Sequence, residues 1–265
     1  MNGAELRAAM RDGQTVYGTM LMMARGSRWG AVLGRIGFDY IIIDTEHSPF
    51  GRQEVAELTP VLAAAGVAPV VRVPYPDGYQ VRIAVDADAH GVLVPYVERP
   101  EEARAAVAAA RYRPLKGALL EQASTGAFVN DEVRAYLEER MNRNSVVIVG
   151  IESTPAVDNL EAILDVPGID AIFIGPHDLS VSLGIPEQYD DPRFVEAVRH
   201  IIQTSQARGI PAGGHWMQVE QVQRWQAEGS RFILFSSDGR ALAEGYRRDL
   251  GVIKGTVGEA MRHTI

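Results

Sequence analysis

Two carboxylates, Glu152 and Asp178, close consecutive apolar runs of the sequence, "VVIVGIE" and "AIFIGPHD". If those runs are neighbouring parallel strands, about 4.8 Å apart, the two acids stand side by side. Paired oxygen ligands without a thiol suit a hard divalent ion that keeps several waters, in the manner of Mg²⁺ or Mn²⁺. The alternative task for both acids is to cap the helices that follow, and Asp178 is well placed for it just ahead of "LSVSLG". His47 lies in "IDTEHSPF", shortly after Asp44. A companion acid so close would orient the imidazole and raise its basicity, which makes the pair a candidate acid/base. Arg72 interrupts the apolar run "PVVRVP". An arginine entering the interior needs an anion there, either a protein carboxylate or a substrate oxyanion. In "IGPHDLS" a Gly-Pro turn, Gly175 and Pro176, precedes His177 and Asp178 at a helix start. Backbone N–H groups at such a start suit a carboxylate or phosphate.

All these residues follow apolar runs, and the runs recur. Eight of them begin near Val16, Tyr40, Ala68, Gly91, Val146, Ala171, Pro211 and Arg231. Helical periodicity fills residues 51–65, 99–111, 156–164, 192–208 and 218–228, with glycine stops at Gly66, Gly209 and Gly229. Most runs are apolar on successive residues, as parallel strands buried on both faces are. The pattern predicts an α/β fold, one (β/α)8 barrel spanning residues 1–265, with its site at the C-terminal ends of the strands. A doubly wound open sheet is the alternative; its glycine-rich first turn is missing, since the first strand is followed by "MARGSRWG". The same rim would carry Glu46, His215, Trp216, Ser236, Ser237 and Asp238. Of these, Glu46, His215 and Trp216, together with His177 and Asp86, are expected to support the site more than to react. His90, His200 and His263 are expected at the surface.

Composition narrows the function further. The 26 Lys and Arg against 34 Asp and Glu give a net charge of −8 with no basic run, which argues against a nucleic-acid partner. Zero cysteines remove disulfides, thiolate metal sites and cysteine nucleophiles together. Lys116 and Lys254 are the only lysines, and neither follows a predicted strand, so a Schiff-base mechanism is disfavoured. No apolar stretch is long enough for a membrane span, and the first residues lack the order of a signal peptide, so the cytoplasm is the expected location. Residues 112–129 form one irregular interval before a polar helix at 130–143, and the helical segment from Asp238 onward is too long for one barrel helix. Both are candidates for contacts between subunits.

"FDYIIIDTEHSPF", "VVRVPYPDGYQVRIAVDADAHGVLVPYVERPEEARAAVAAARY" and "GIESTPAVDNLEAILDVPGIDAIFIGPHDLSVSLG" together resemble the HpcH/HpaI aldolase family of the pyruvate/phosphoenolpyruvate-binding barrels. The resemblance is close over residues 38–184 and looser elsewhere. It implies a class II, metal-dependent aldolase, similar to 4-hydroxy-2-oxoheptanedioate aldolases, that cleaves 4-hydroxy-2-oxo acids reversibly to pyruvate and an aldehyde through a pyruvate enolate. By the same resemblance Glu152 and Asp178 are the metal ligands, for Mg²⁺ or Mn²⁺ with Co²⁺ as a further candidate. His47 with Asp44 is the acid/base pair, Arg72 meets the keto oxygen, and the backbone from Gly175 through Pro176 and His177 to Asp178 cradles the pyruvate carboxylate. A homo-oligomer is implied too, a hexamer built as a trimer of dimers with the last helix exchanged. Leu242, Tyr246, Leu250 and Ile253 form an apolar stripe suited to that exchange.

The chain departs from the family pattern in places. It reads "RYRPLKGALL" after the fourth helix, with Arg113 for a proline and Ala118 for an arginine, "DADA" before the fourth strand, and His177 where a small residue is usual. These changes bear on subunit contacts and on the aldehyde end of the site. Two rival functions stand beside the aldolase. One is a CoA-ester lyase of the citrate-lyase type, against which "DTEH" speaks; the other is a catalytically silent barrel that binds 2-oxo acids.

Overall fold

The computed structural model describes residues 1–255. Its strands are β1 (Val16–Leu21), β2 (Tyr40–Asp44), β3 (Ala68–Arg72), β4 (Gly91–Val94), β5 (Val146–Ile151), β6 (Ala171–Ile174), β7 (Ala212–Trp216) and β8 (Phe232–Ser237). Each pairs in parallel with the next, and β8 returns to β1, so the eight runs close into a barrel. The expected fold class is the one observed.

Side-chain alternation sorts the strands into two cores. Tyr40, Ile42, Val70, Leu93, Ile148, Phe173 and Leu234 fill the barrel interior. Ile41, Ile43, Val71, Val92 and Val147 lie between the sheet and the helices. Two residues beyond Ile42, Val70, Ile148 and Phe173, alternation sets Asp44, Arg72, Gly150 and Gly175 at the next inward level. His215, in register with inward Leu234, joins them. The interior therefore turns polar at its C-terminal end, where catalytic residues of such barrels sit. Its other end is closed by α1 (Gly3–Arg11), whose Leu6, Ala9 and Met10 join the inner core. Tyr40 stacks on Phe232 at 4.8 Å and donates its hydroxyl to the Ile233 carbonyl at 2.7 Å. A Cβ at position 18 would strike the Tyr40 ring, which explains the glycine there.

The remaining helices are α2 (Arg28–Leu33), α3 (Arg52–Ala64), α4 (Gly78–Asp86), α5 (Pro100–Arg111), α6 (Gly117–Ser124), α7 (Asp131–Ala135), α8 (Thr154–Asp158), α9 (Leu160–Leu164), α10 (Pro176–Ser182), α11 (Pro192–Ala207), α12 (Val219–Ala227) and α13 (Asp238–Lys254). Four features differ from the sequence pattern. Residues 78–86 form a helix where none was expected, started by the Asp77 side chain accepting the Tyr79 N–H and held by buried Val81, Ala84 and Val85. The helix expected over 156–164 is two short ones broken at Asn159, whose amide donates to the Glu98 carbonyl at 2.9 Å. The irregular interval 112–129 contains α6, and the polar helix after it turns π-helical over Tyr136–Met141. Asp86 is not near the rim: it ends α4 at the opposite side of the barrel and pairs with Arg113 at 3.1 Å.

The segment after β8 is one helix, α13, with no buried residue; Leu242, Tyr246, Leu250 and Ile253 are all exposed. His263 lies outside the described residues. No described helix is long and apolar enough to cross a membrane.

Candidate active site

Asp44 and Arg72 end adjacent strands and are register partners. Asp44 is fully buried, and its two oxygens meet Arg72 Nε at 2.8 Å and Nη2 at 2.7 Å. Arg72 Nη1 lies 3.2 Å from Glu46 Oε2. Burial opposes a charge on either partner, yet the contact with Asp44 holds the guanidinium above its ordinary value, and the contact with Arg72 holds the Asp44 carboxyl below its own. The pair is ionised. Of the two partners expected for Arg72, the protein carboxylate is therefore present; a guanidinium has five N–H donors, so capacity remains for a further oxyanion.

His47 departs from expectation in how it is held. Asp44 Oδ1 accepts the backbone N–H groups of Glu46 at 3.0 Å and His47 at 3.4 Å, so it fixes the main chain of the loop and not the imidazole. The ring Nε2 stands 3.5 Å from Glu46 Oε2, and the side chain is 55% exposed. Glu46, ranked as a supporting residue in the sequence, thus stands between Arg72 and His47. Burial raises its carboxyl, with Arg72 and His47 opposing.

Glu152 is the most constrained acid at the rim. It is 3% exposed, and burial lifts its carboxyl to about 8, with the field of Glu46 and Asp178 adding to the rise and the Tyr96 amide and Arg72 opposing it. A Cβ at Gly150 would strike Glu152 Oε1, and one at Gly175 would strike Oε2. The carboxyl is therefore seated over two backbones that only glycine leaves open. Oε1 accepts the Tyr96 N–H at 3.2 Å. Tyr96 makes that contact from the left-handed region, φ +53°, a conformation that costs a non-glycine residue about 1–2 kcal/mol.

Asp178, in the first turn of α10 and half-buried, acts electrostatically on both Glu46 and Glu152. Glu46, Glu152 and Asp178 thus share one neighbouring cation, an arginine already bonded to Asp44. The donor set fits a further hard cation held by Glu152 and Asp178. No group of three or more His, Cys, Asp or Glu residues with metal-holding geometry occurs among the described residues, so such an ion would complete its shell with water and substrate oxygens, as Mg²⁺ does. A capping role does not account for Glu152, because the Ser153 side chain caps the next helix.

The other rim candidates take different places. His215 donates from Nε2 to the Ser236 carbonyl at 2.8 Å, which leaves Nδ1 as the bare nitrogen; burial pushes the imidazole down to about 4. Ser236 itself has φ +56°, in the stretch where the β1–β8 register shifts. Asp238 gathers the backbone N–H groups of Met22, Met23 and Ala24 and so shapes the loop after β1, while the Ser237 hydroxyl caps α13. Trp216 faces outward and stacks on Trp225 at 5.6 Å, away from the site. His177 is exposed and stands 3.8 Å from Glu187. His200 is at the surface as expected, whereas His90 is half-buried with Nδ1 enclosed. Lys116 precedes α6 and Lys254 ends α13, so neither reaches a strand end.

Gly150 and Tyr96 were not anticipated. A glycine inside the apolar run "VVIVGIE" is a sequence signal of close backbone approach; nothing in the pattern around Tyr96 announces its backbone conformation.

A family model described as HpcH/HpaI aldolase/citrate lyase matches residues 29–245. The chain is 35% identical over 210 residues to a 5-keto-4-deoxy-D-glucarate aldolase of Shigella dysenteriae serotype 1, covering 78% of this chain and 80% of that one. It is 34% identical over 237 residues to a hydroxypyruvate/pyruvate aldolase of Sagittula stellata, covering 88% and 90%. A crystal structure of an HpcH/HpaI aldolase/citrate lyase family protein from Burkholderia cenocepacia superposes with a TM-score of 0.82 at 30% identity, over 95% of this chain and 99% of that one.

Proposed function

The chain belongs to the HpcH/HpaI aldolase/citrate lyase family, and we propose that it is a divalent-cation-dependent pyruvate aldolase that cleaves and forms 4-hydroxy-2-oxo acids. The observation that carries this reading is the buried Glu152 carboxyl, seated on Gly150 and Gly175 beside Asp178, an arrangement that calls for a cation. Mg²⁺ or Mn²⁺ suits those oxygens best. Held there, the ion would stabilise negative charge developing on the 2-oxo oxygen as a Lewis acid.

The chain's own groups carry the remaining steps. Arg72, kept cationic and immobile by Asp44 and Glu46, offers its remaining N–H donors to the same oxygen. The backbone amides of His177 and Asp178, in the first turn of α10, have no partner within that helix and suit the substrate carboxylate. In cleavage His47 takes the proton of the C4 hydroxyl, the C3–C4 bond breaks, and the electron pair passes from C3 to the 2-oxo oxygen. The aldehyde leaves, and a proton delivered to C3 completes pyruvate. In synthesis the same imidazole removes a C3 proton of pyruvate. Glu46, within 3.5 Å of the ring, stabilises the imidazolium in both directions. Such acid–base help is typically worth ~10²–10⁴ in rate.

Incubation with pyruvate, Mg²⁺ or Mn²⁺ and a panel of aldehydes tests this reading. Aldol products that depend on the metal support it; their absence with every aldehyde and metal contradicts it.

A further inference from the structure

Tyr96 follows β4 and is pressed against β5: the Val97 N–H donates to the Gly150 carbonyl at 3.0 Å, and the Tyr96 N–H donates to Glu152. A Cβ on Gly150 would come within 3.0 Å of Pro95 Cα and 3.2 Å of Tyr96 N, so the close approach depends on that glycine. The backbone task explains the left-handed conformation but not the side chain. Glycine or asparagine would hold the same turn with less strain. A strained residue at a functional rim asks what its side chain does.

The phenol is 42% exposed, and its charged neighbours are Asp178, Glu98 and Glu152. It therefore stands on the outer side of the carboxylates. Under the reading above, the buried groups hold the 2-oxo acid end of the substrate, and the part that extends toward solvent is the acceptor, C4 and beyond. Glu98, which accepts the Ser153 hydroxyl at 2.6 Å, keeps the wall beside the phenol acidic. A phenol O–H in that place donates to an uncharged oxygen, whereas a second carboxylate on the acceptor would meet like charge.

We infer that Tyr96 is a specificity-determining residue for the acceptor, donating its hydroxyl to a neutral hydroxyaldehyde. The inference rests on the aldolase reading and is tested apart from it. Addition of pyruvate to glycolaldehyde and to propanal, similar in size and differing in the hydroxyl, is compared for the parent, Tyr96→Phe and Tyr96→Gly, with deuterium exchange at pyruvate C3 measured alongside. Both variants should lose about tenfold in kcat/KM for glycolaldehyde, the order expected when one substrate hydrogen bond is removed, with less than a twofold change for propanal. C3 exchange should stay at the parent rate, because it needs no acceptor. Tyr96→Gly suits the left-handed backbone, so it separates loss of the phenol from any loss of fold. Equal losses on the two aldehydes, or none, would overturn the inference while leaving the aldolase intact. A parent unable to exchange C3 would overturn both.

Discussion

Asp44 and Arg72, register partners at the ends of β2 and β3, are joined by two contacts of 2.8 and 2.7 Å in a setting that solvent scarcely reaches. The pair faces the barrel interior at the level where the apolar filling ends. Its geometry makes the arginine a fixed positive group for the substrate, and it removes Asp44 from direct service to the His47 ring.

Breaking the pair should be costly. Removing one partner of a buried ion pair typically destabilises by about 3–5 kcal/mol, so Asp44→Ala should lower the urea midpoint strongly. Combining it with Arg72→Leu should recover part of the loss, because the second change removes the uncompensated charge. Unfolding of the two single variants and the double variant measures this, and strictly additive losses would contradict it.

Glu152→Gln and Asp178→Ala should each weaken Mn²⁺ binding sharply without unfolding the barrel, since neither side chain belongs to either apolar core. Calorimetric titration with Mn²⁺, with circular dichroism as a control for folding, reads the outcome. Parent-like affinity in a folded variant would remove that residue from the metal site.

His47→Ala should slow C3 exchange by at least ~10²-fold with Mn²⁺ affinity intact, the scale of a lost general base. The exposed imidazole makes a folding defect an unsuitable explanation. Exchange at the parent rate would make His47 a bystander.

His215 gives stability a defined pH dependence. Its imidazole is neutral in the native barrel down to about 4, while in the unfolded chain it takes up a proton near 6.5. Its contribution is therefore full above the unfolded value and is lost as pH falls from 6.5 toward 4, by about 2 kcal/mol between pH 7 and pH 5. His215→Gln should show a smaller drop in urea stability over that interval than the parent. Parallel profiles would mean that His215 titrates normally.

The apolar stripe on α13 should be an interface between copies of the chain. Leu250 is 46% exposed and Ile253 79% exposed, with Leu242 and Tyr246 one and two turns earlier on the helix. Truncation after Ser237 would also remove Asp238, which shapes the loop after β1, so Leu250→Glu with Ile253→Glu is the cleaner test. Sedimentation should show a homo-oligomer for the parent and dissociation for the double variant. A monomeric parent would contradict the assembly, and a dimer would point to the loop at Arg113 as the place where hexamer contacts are lost.

The strands were legible because parallel strands buried on both faces write uninterrupted apolar runs, "YIIID" being the clearest. The rim residues followed as the first polar groups after those runs. Sequence spacing could not show which way each points. Asp44 lies three positions before His47 and 28 before Arg72, yet the barrel turns its carboxylate inward to Arg72. Asp86 follows no strand and was drawn toward the site by its charge alone; α4 carries it to the other end. The "PDG" before α4 reads as a turn, which hid the helix that Asp77 starts. Backbone dihedrals leave no period in a sequence, so Tyr96 stayed hidden until its N–H was found on Glu152.

The most direct test of the central claim is deuterium incorporation at C3 of pyruvate, followed by proton NMR in D₂O without any aldehyde. The parent protein with Mg²⁺ or Mn²⁺ should exchange C3 far faster than the buffer does, chelation should stop it, and Glu152→Gln should show no exchange above background. A folded, metal-supplied parent that leaves C3 protons in place would contradict an aldolase and leave a barrel that only binds 2-oxo acids.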